Sequence, residues 1–267
     1  LRIAPVKALA TISPDRVFLD TEGVAEDRRL FLVHADGAVV TQRRHPRLTG
    51  VVPDLDLAQQ RLTVTFPDGT TATSELSAVG EHVSTTLFGK DRAGRVVPGA
   101  VADTLSQFAG VPMRLVLAQA TGVGWDEGPV SLIAQASVQA AGPPAGPGSS
   151  VSGRFRMLLE VDGTEAYAED SWVGHRLVIG DAVLRVTHPL ERCVVINHSP
   201  VTGRQDWPGL KTLVARRGRV TLGVIADVEQ PGGISVGDTA EVIEQEPAGH
   251  RSSASTGGTS PGSSRAR

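Results

Sequence analysis

RLTVTFPDG, residues 61–69, alternates apolar and polar side chains from Arg61 to Phe66 and then runs into Pro67-Asp68-Gly69. Alternation of period two is the pattern of a half-buried antiparallel strand. Gly69 tolerates the positive φ that a tight hairpin requires, so the chain is expected to fold back on itself here. Ala35-Asp36-Gly37 is a second signal of the same kind. Around these turns, Arg16–Leu19, Arg29–Val33, Val39–Thr41 and His82–Leu87 read as short strands, as does Leu1–Ile3 leading to Pro5-Val6-Lys7. Strands this short and this regularly spaced suggest a small barrel or sandwich.

From Val101 onward helices are interspersed. Ala102–Ala109 places Leu105, Phe108 and Ala109 at helical spacing before Gly110, which predicts a short helix and its stop. A strand is expected at Met113–Leu117, and another at Pro129–Ile133 running into a helix at Gln135–Ala141. Gly142–Gly153, rich in Pro, Gly and Ser, reads as a surface loop. Further strands are expected at Met157–Val161, Arg176–Ile179, Ala182–Thr187, Cys193–Ile196, Arg219–Val228 and Thr239–Glu244, with a helix at Pro208–Arg217 stopped by Gly218. Pro247–Arg267 has no large apolar residue and is expected to be disordered. The expected fold class is therefore mainly β with a few short helices, divided as 1–95, 96–246 and a tail, 247–267.

The 267 residues carry a net charge of -3, which argues against a whole-surface nucleic-acid binder. No run approaches the roughly 20 apolar residues of a membrane-spanning helix, so no membrane association is expected. Cys193 is the single cysteine, so it closes no internal disulfide, which suits a reducing, cytoplasmic setting. The thiol is either a small apolar core residue or a soft ligand and nucleophile. Arg192 beside it would favour the thiolate, which suits molybdenum, copper or zinc. A zinc site from His188, Cys193 and His198 lacks the spacing of common sites. Lys7, Arg28, Arg43, Arg154, Arg156 and Arg192 recur beside turns or strand ends. They are either solvated strand ends or, if they converge, a cationic cradle for an anionic cofactor. Gly122-Val123-Gly124 is not a dinucleotide fingerprint, and neither a Walker A nor a nucleophile-elbow motif is present.

Several segments, in order, resemble the MOSC family, the domain of molybdenum cofactor sulfurase C-termini and of the mitochondrial amidoxime reducing component. Pro5-Val6-Lys7, Asp27-Arg28, Thr41-Gln42-Arg43 and Pro46-Arg47-Leu48 are similar to the motifs of the β-barrel domain that precedes MOSC. Asp126–Pro129, Gln135-Ala136-Ser137, Phe155-Arg156, Ala168–Trp172, Ile179-Gly180-Asp181 and Arg192-Cys193 followed by Thr202-Gly203 are similar to those of MOSC itself. The resemblance covers about residues 1–245 and implies an N-terminal β-barrel domain followed by a MOSC β-barrel domain. It implies molybdopterin-bound molybdenum as cofactor, with Cys193 as metal ligand and Arg192 beside it. Lys7, Arg28 and Arg156 would hold the pterin phosphate and ring, Arg43 would assist, and Asp126 would sit near the metal. The activity implied is reduction of a small N-hydroxylated substrate, or else holding and handing on molybdopterin or sulfur without turnover. With one cysteine the chain cannot ligate an iron–sulfur cluster of its own, so a separate electron-donor protein is expected. No Schiff-base lysine for pyridoxal phosphate is marked. The chain departs from the family pattern at Leu158, where Asn is expected, at Gly128, where Ser is expected, and in Asn197–Gly203, which lacks the expected acidic residue.

Overall fold

The computed structural model describes residues 1–87, 89–145 and 151–243. The segment expected to be disordered, 247–267, lies outside the described residues, as does part of the loop 142–153. The fold is mainly β. In chain order the strands of the first half are β1 (Arg16–Asp20), β2 (Gly23–Val24), β3 (Leu30–His34), β4 (Val52–Asp56), β5 (Arg61–Thr65), β6 (Thr71–Glu75), β7 (His82–Leu87) and β8 (Lys90–Val97). Helix α1 (Ala100–Ala109) and β9 (Met113–Ala118) follow. The second half holds β10 (Val130–Ala134), α2 (Gln135–Ala141), β11 (Leu159–Val161), β12 (Arg176–Ile179), β13 (Ala182–Glu191), α3 (Gly209–Arg217), β14 (Thr221–Gln230), β15 (Gly232–Ser235) and β16 (Ala240–Ile243).

The hairpin predicted at residues 61–69 forms as read. Gly69 has φ 84° and donates its N–H to Phe66 at 2.9 Å, while Asp68 Oδ1 accepts from Thr70 N at 2.9 Å. The turn sets the β5–β6 register, Thr65 opposite Thr71 and Leu62 opposite Ser74. Leu62 and Val64 are fully buried and meet Leu30, Leu32, Leu105 and Leu115, so β3, β5, α1 and β9 share one core. Helix α1 ends where expected, with Gly110 at φ 73° donating back to Ser106 and Gln107 carbonyls.

Among the described residues four sheets form: β4-β5-β6, β3-β9-β8-β7, the six-stranded β11-β10-β14-β13-β12-β16, and β15-β1-β2. The six-stranded sheet curls around a second core built on Leu132, Leu177, Leu184 and Val224. A third cluster, with Ile133, Phe155, Ile196, Trp207 and Leu213, packs α3 against that sheet. The two halves are stitched together because β1 pairs antiparallel with β15, Val17 opposite Ile234. Among the described residues no helix is long and apolar enough to cross a membrane.

The strand expected at Cys193–Ile196 is instead a 3-10 turn, Val194–Asn197, with Cys193 extended just before it. A strand would set Val194 and Ile196 on one face. Ile196 is buried against Phe155 and Trp207 whereas Val194 is 39% exposed, and a turn separates the two. Leu1–Ile3 and Val39–Thr41 contribute only the isolated bridges Ile3–Ile12 and Val33–Val39. Strands β4, β6 and β8 had no sequence signal of their own.

Candidate functional site

A cleft of about 220 Å³, open to solvent, lies where residues from both halves meet. Lys7, Arg28, Arg43, Asp126, Arg156, Arg192 and Cys193 all line it, so the structure brings together every site residue singled out in the sequence. Cys193 is half-buried on this wall.

Lys7 follows Val6, which bridges in parallel to Leu30, and its own N–H bonds the Leu30 carbonyl at 2.8 Å. Its ammonium donates to Asp126 Oδ1 at 2.5 Å and to the Gly124 carbonyl at 3.1 Å. The loop reaches this close because Gly124 has no side chain: a Cβ there would lie 2.0 Å from the Arg28 carbonyl oxygen. From β8, Arg92 donates to the Trp125 carbonyl at 2.9 Å and Lys90 to the Glu127 carbonyl at 2.9 Å, pinning the same loop. Asp27 Oδ1 accepts from Ala4 N at 2.6 Å while Oδ2 pairs with Arg28.

Among the described residues five non-glycine positions have positive φ, and three of them, Ala8 (76°), Arg28 (50°) and Arg156 (55°), line this cleft. L-residues held in that region carry strain, which collects at ligand sites and is borne by the surrounding packing. Arg156 is fixed by a bond from Nη1 to the Leu9 carbonyl, 2.8 Å. Arg192 donates through Nη2 to the Phe155 carbonyl at 2.6 Å and through Nη1 to Met157 Sδ at 3.2 Å.

The charges are unevenly compensated. Burial alone would raise the Asp126 carboxyl, but Lys7 and Arg28 outweigh it and hold the group below the usual carboxylate range. Burial lowers Lys7, with Asp126 opposing. Arg28 is burdened by burial too, yet Asp27 and Asp126 raise it. Arg154 is neutralised by Asp206, whose oxygens lie 2.7 and 3.0 Å away. Arg156 and Arg192 differ: among the described residues neither forms an ion pair. Burial first, then Arg28, pushes Arg156 down to about 10, and burial pushes Arg192 to about 10 as well.

Three donors of residues on the same wall, Gln42 Nε2, Trp125 Nε1 and Arg192 Nε, are buried with no hydrogen-bond partner among the described residues. Buried donors without partners are rare. Two uncompensated guanidiniums, three orphan donors and one accessible thiol fit an anionic, acceptor-rich group with a soft metal. They fit zinc poorly, since among the described residues no three His, Cys, Asp or Glu converge. Two positions offer such a group nothing. Leu158 is 2% exposed and packed in the second core, and a Cβ on Gly128 would meet Ile225 Cγ2 at 2.5 Å.

The sequence reading missed Arg92 and Trp125. Arg92 lies on a strand with no apolar pattern, and nothing local marks Trp125 as a loop anchored from β8.

A family model described as the MOSC N-terminal beta barrel domain matches residues 1–112, and one described as the MOSC domain matches residues 119–241. The chain is 25% identical over 267 residues to the molybdenum cofactor sulfurase of Danio rerio, covering 84% of this chain and 31% of that protein. It is 24% identical over 278 residues to that of Bos taurus, covering 89% and 31%. The chain thus spans about a third of the length of these curated relatives. Among solved structures, the YUAD protein of Bacillus subtilis matches at 12% identity with a TM-score of 0.42, covering 92% of this chain and 94% of that one.

Proposed function

The chain belongs to the MOSC family, and from that premise we propose that its cleft binds the molybdenum cofactor and that the protein reduces N-hydroxylated compounds. The carrying observation is the pair of half-buried guanidiniums, Arg156 and Arg192, that form no ion pair among the described residues and lie on the wall that also bears Cys193. In this reading Cys193 ligates the metal. Arg192, Arg156, Arg28 and Lys7, with Arg43 at the rim, hold the pterin and its phosphate. When bound, the group supplies two-electron redox chemistry at its metal, with the electrons coming from a separate donor protein.

The chain's own side chains have narrower tasks. Asp126, kept ionised by Lys7 and Arg28, accepts hydrogen bonds from N–H or O–H groups of a substrate and orients it. Lys7 and Arg28 are held in turn by Gly124 and Asp27. Overall, the N–O bond breaks, two electrons and two protons are taken up, and water leaves.

The test is direct. Protein expressed with cofactor supply should contain molybdenum and pterin, and Cys193→Ser should lose the molybdenum while changing stability by no more than about 0.5 kcal/mol. Wild-type protein devoid of both after such expression would overturn the reading. The polar groups missing at Leu158 and Gly128 favour a second reading, in which the protein holds or hands on molybdopterin or sulfur without turnover. Reduction of benzamidoxime by the loaded protein with an artificial donor separates the two, because a carrier shows none.

A further inference from the structure

We propose that His34 and His45, outside the cleft, chelate a zinc-like divalent transition metal, and that the bound ion staples the loop between them. The two Nε2 atoms lie 3.3 Å apart, with ring centroids 5.0 Å apart and ring planes tilted by 49°. Two imidazole nitrogens on one tetrahedral ion, each bond about 2.0–2.1 Å long, stand about 3.3–3.4 Å from each other. The same spacing is long for a hydrogen bond, whose heavy atoms usually lie about 2.7–3.2 Å apart. The rings are therefore set at the bite of a metal rather than at the distance of a bond to each other.

Both rings are carried on backbone that is already fixed. His34 ends β3 opposite Met113, its N–H donates to the Ala38 carbonyl at 2.9 Å, and its carbonyl accepts from Gly37 at 3.0 Å. The His45 N–H donates to the Thr41 carbonyl at 3.0 Å, and its carbonyl accepts from Leu48 at 3.1 Å as the chain enters the 3-10 turn Pro46–Gly50. Both residues are half-buried, so an ion can reach them from solvent. Burial, then His34 and Arg44, lower His45 below the usual imidazole range, so the ring offers a lone pair at neutral pH. Among the described residues no third His, Cys, Asp or Glu joins the pair, so water completes the coordination sphere and the ion is exchangeable. Arg44 repels any cation here and keeps the affinity modest. Calcium and magnesium, which take oxygen ligands, do not suit two imidazoles; zinc, copper and nickel do. Gln42 and Arg43 lie between the two ligands in the chain and line the cleft, so the ion would tie one edge of the cleft wall to β3. The assignment does not depend on the cofactor.

Calorimetric titration of the full, cofactor-free chain with zinc chloride tests the site, with His34→Gln, His45→Gln and Cys193→Ser as comparisons. Each histidine substitution removes a ligand and keeps a polar side chain at a half-buried position. Zinc should bind wild type and Cys193→Ser alike, and either histidine variant about tenfold more weakly or worse. Saturating zinc should raise the denaturation midpoint of wild type and of Cys193→Ser, and leave that of each histidine variant where it stands without the ion. In wild type the ion should also protect His34 and His45 from diethyl pyrocarbonate, read by peptide mass spectrometry, a measurement that needs no variant to fold. No zinc binding by wild type at roughly 1 mM ion overturns the proposal. So does undiminished affinity in both histidine variants, unprotected rings in the zinc-saturated chain, or loss of binding in Cys193→Ser alone, which would put the ion on the thiol.

Discussion

In the β4-β5-β6 sheet, Leu62, Val64 and Ala72 turn inward, their neighbours turn outward, and the buried Ser74 hydroxyl accepts the Val101 N–H at 3.2 Å. Around the cleft the same chain buries Lys7, Asp27, Gln42 and Arg154, holds three non-glycine residues at positive φ, and has two guanidiniums that form no ion pair among the described residues. The first region satisfies itself; the second holds desolvated charge and idle donors that a ligand can relieve. Substitutions should therefore act in opposite senses in the two places.

The largest effect is expected in the sheet. Leu62→Ala should cost about 2–5 kcal/mol of stability, because it empties a fully buried site in the first core. Urea denaturation measures this, and a loss below about 1 kcal/mol would mean that the core is not packed as described. In the cleft, Arg192→Leu should leave the cofactor-free protein as stable as before or more stable by about 1 kcal/mol, since it removes a half-buried, desolvated charge that forms no ion pair among the described residues. Its molybdenum content after expression with cofactor should fall. Destabilisation comparable to that of Leu62→Ala would erase the contrast between the regions.

The smallest effect concerns Glu169, a fully buried carboxyl outside both regions, whose Oε2 accepts from Ser137 Oγ at 2.6 Å while Oε1 has no partner among the described residues. Burial raises it above the usual carboxylate range, with the Ser137 bond opposing. The folded protein therefore binds more protons than the unfolded chain between the two pKa values. Its contribution is complete below the unfolded pKa of about 4.3 and is lost as pH rises through the folded one. Glu169→Gln should flatten the stability profile across that window and raise the denaturation midpoint at neutral pH relative to wild type. Superimposable profiles for the two proteins would show that Glu169 does not titrate there.

The legible part of the fold was the part where side-chain period and turn chemistry agree. Residues 61–69 and the helix stop at Gly110 are local statements, complete within ten residues. Strands β6 and β8 escaped because TATSE has no bulky apolar residue and KDRAGRVV carries its charges inside the strand; cross-strand pairing, not local pattern, keeps them extended. The 3-10 turn after Cys193 escaped because Val194, Val195 and Ile196 look alike in sequence, while only Ile196 has a core to enter. The cleft residues could be picked out by chemistry and by family resemblance. That they face one space follows from loops held by distant partners, such as Arg92 on Trp125 and Gly124 on Arg28, and no spacing rule encodes those contacts.

The pairing of β1 with β15 has a consequence for biosynthesis. Val17 waits for Ile234, so the early strand leaves the ribosome with an unsatisfied edge and keeps it until nearly all of the described chain has been made. The cleft walls come from both sides of that seam, so the cleft is complete only once both halves of the chain have been made and joined.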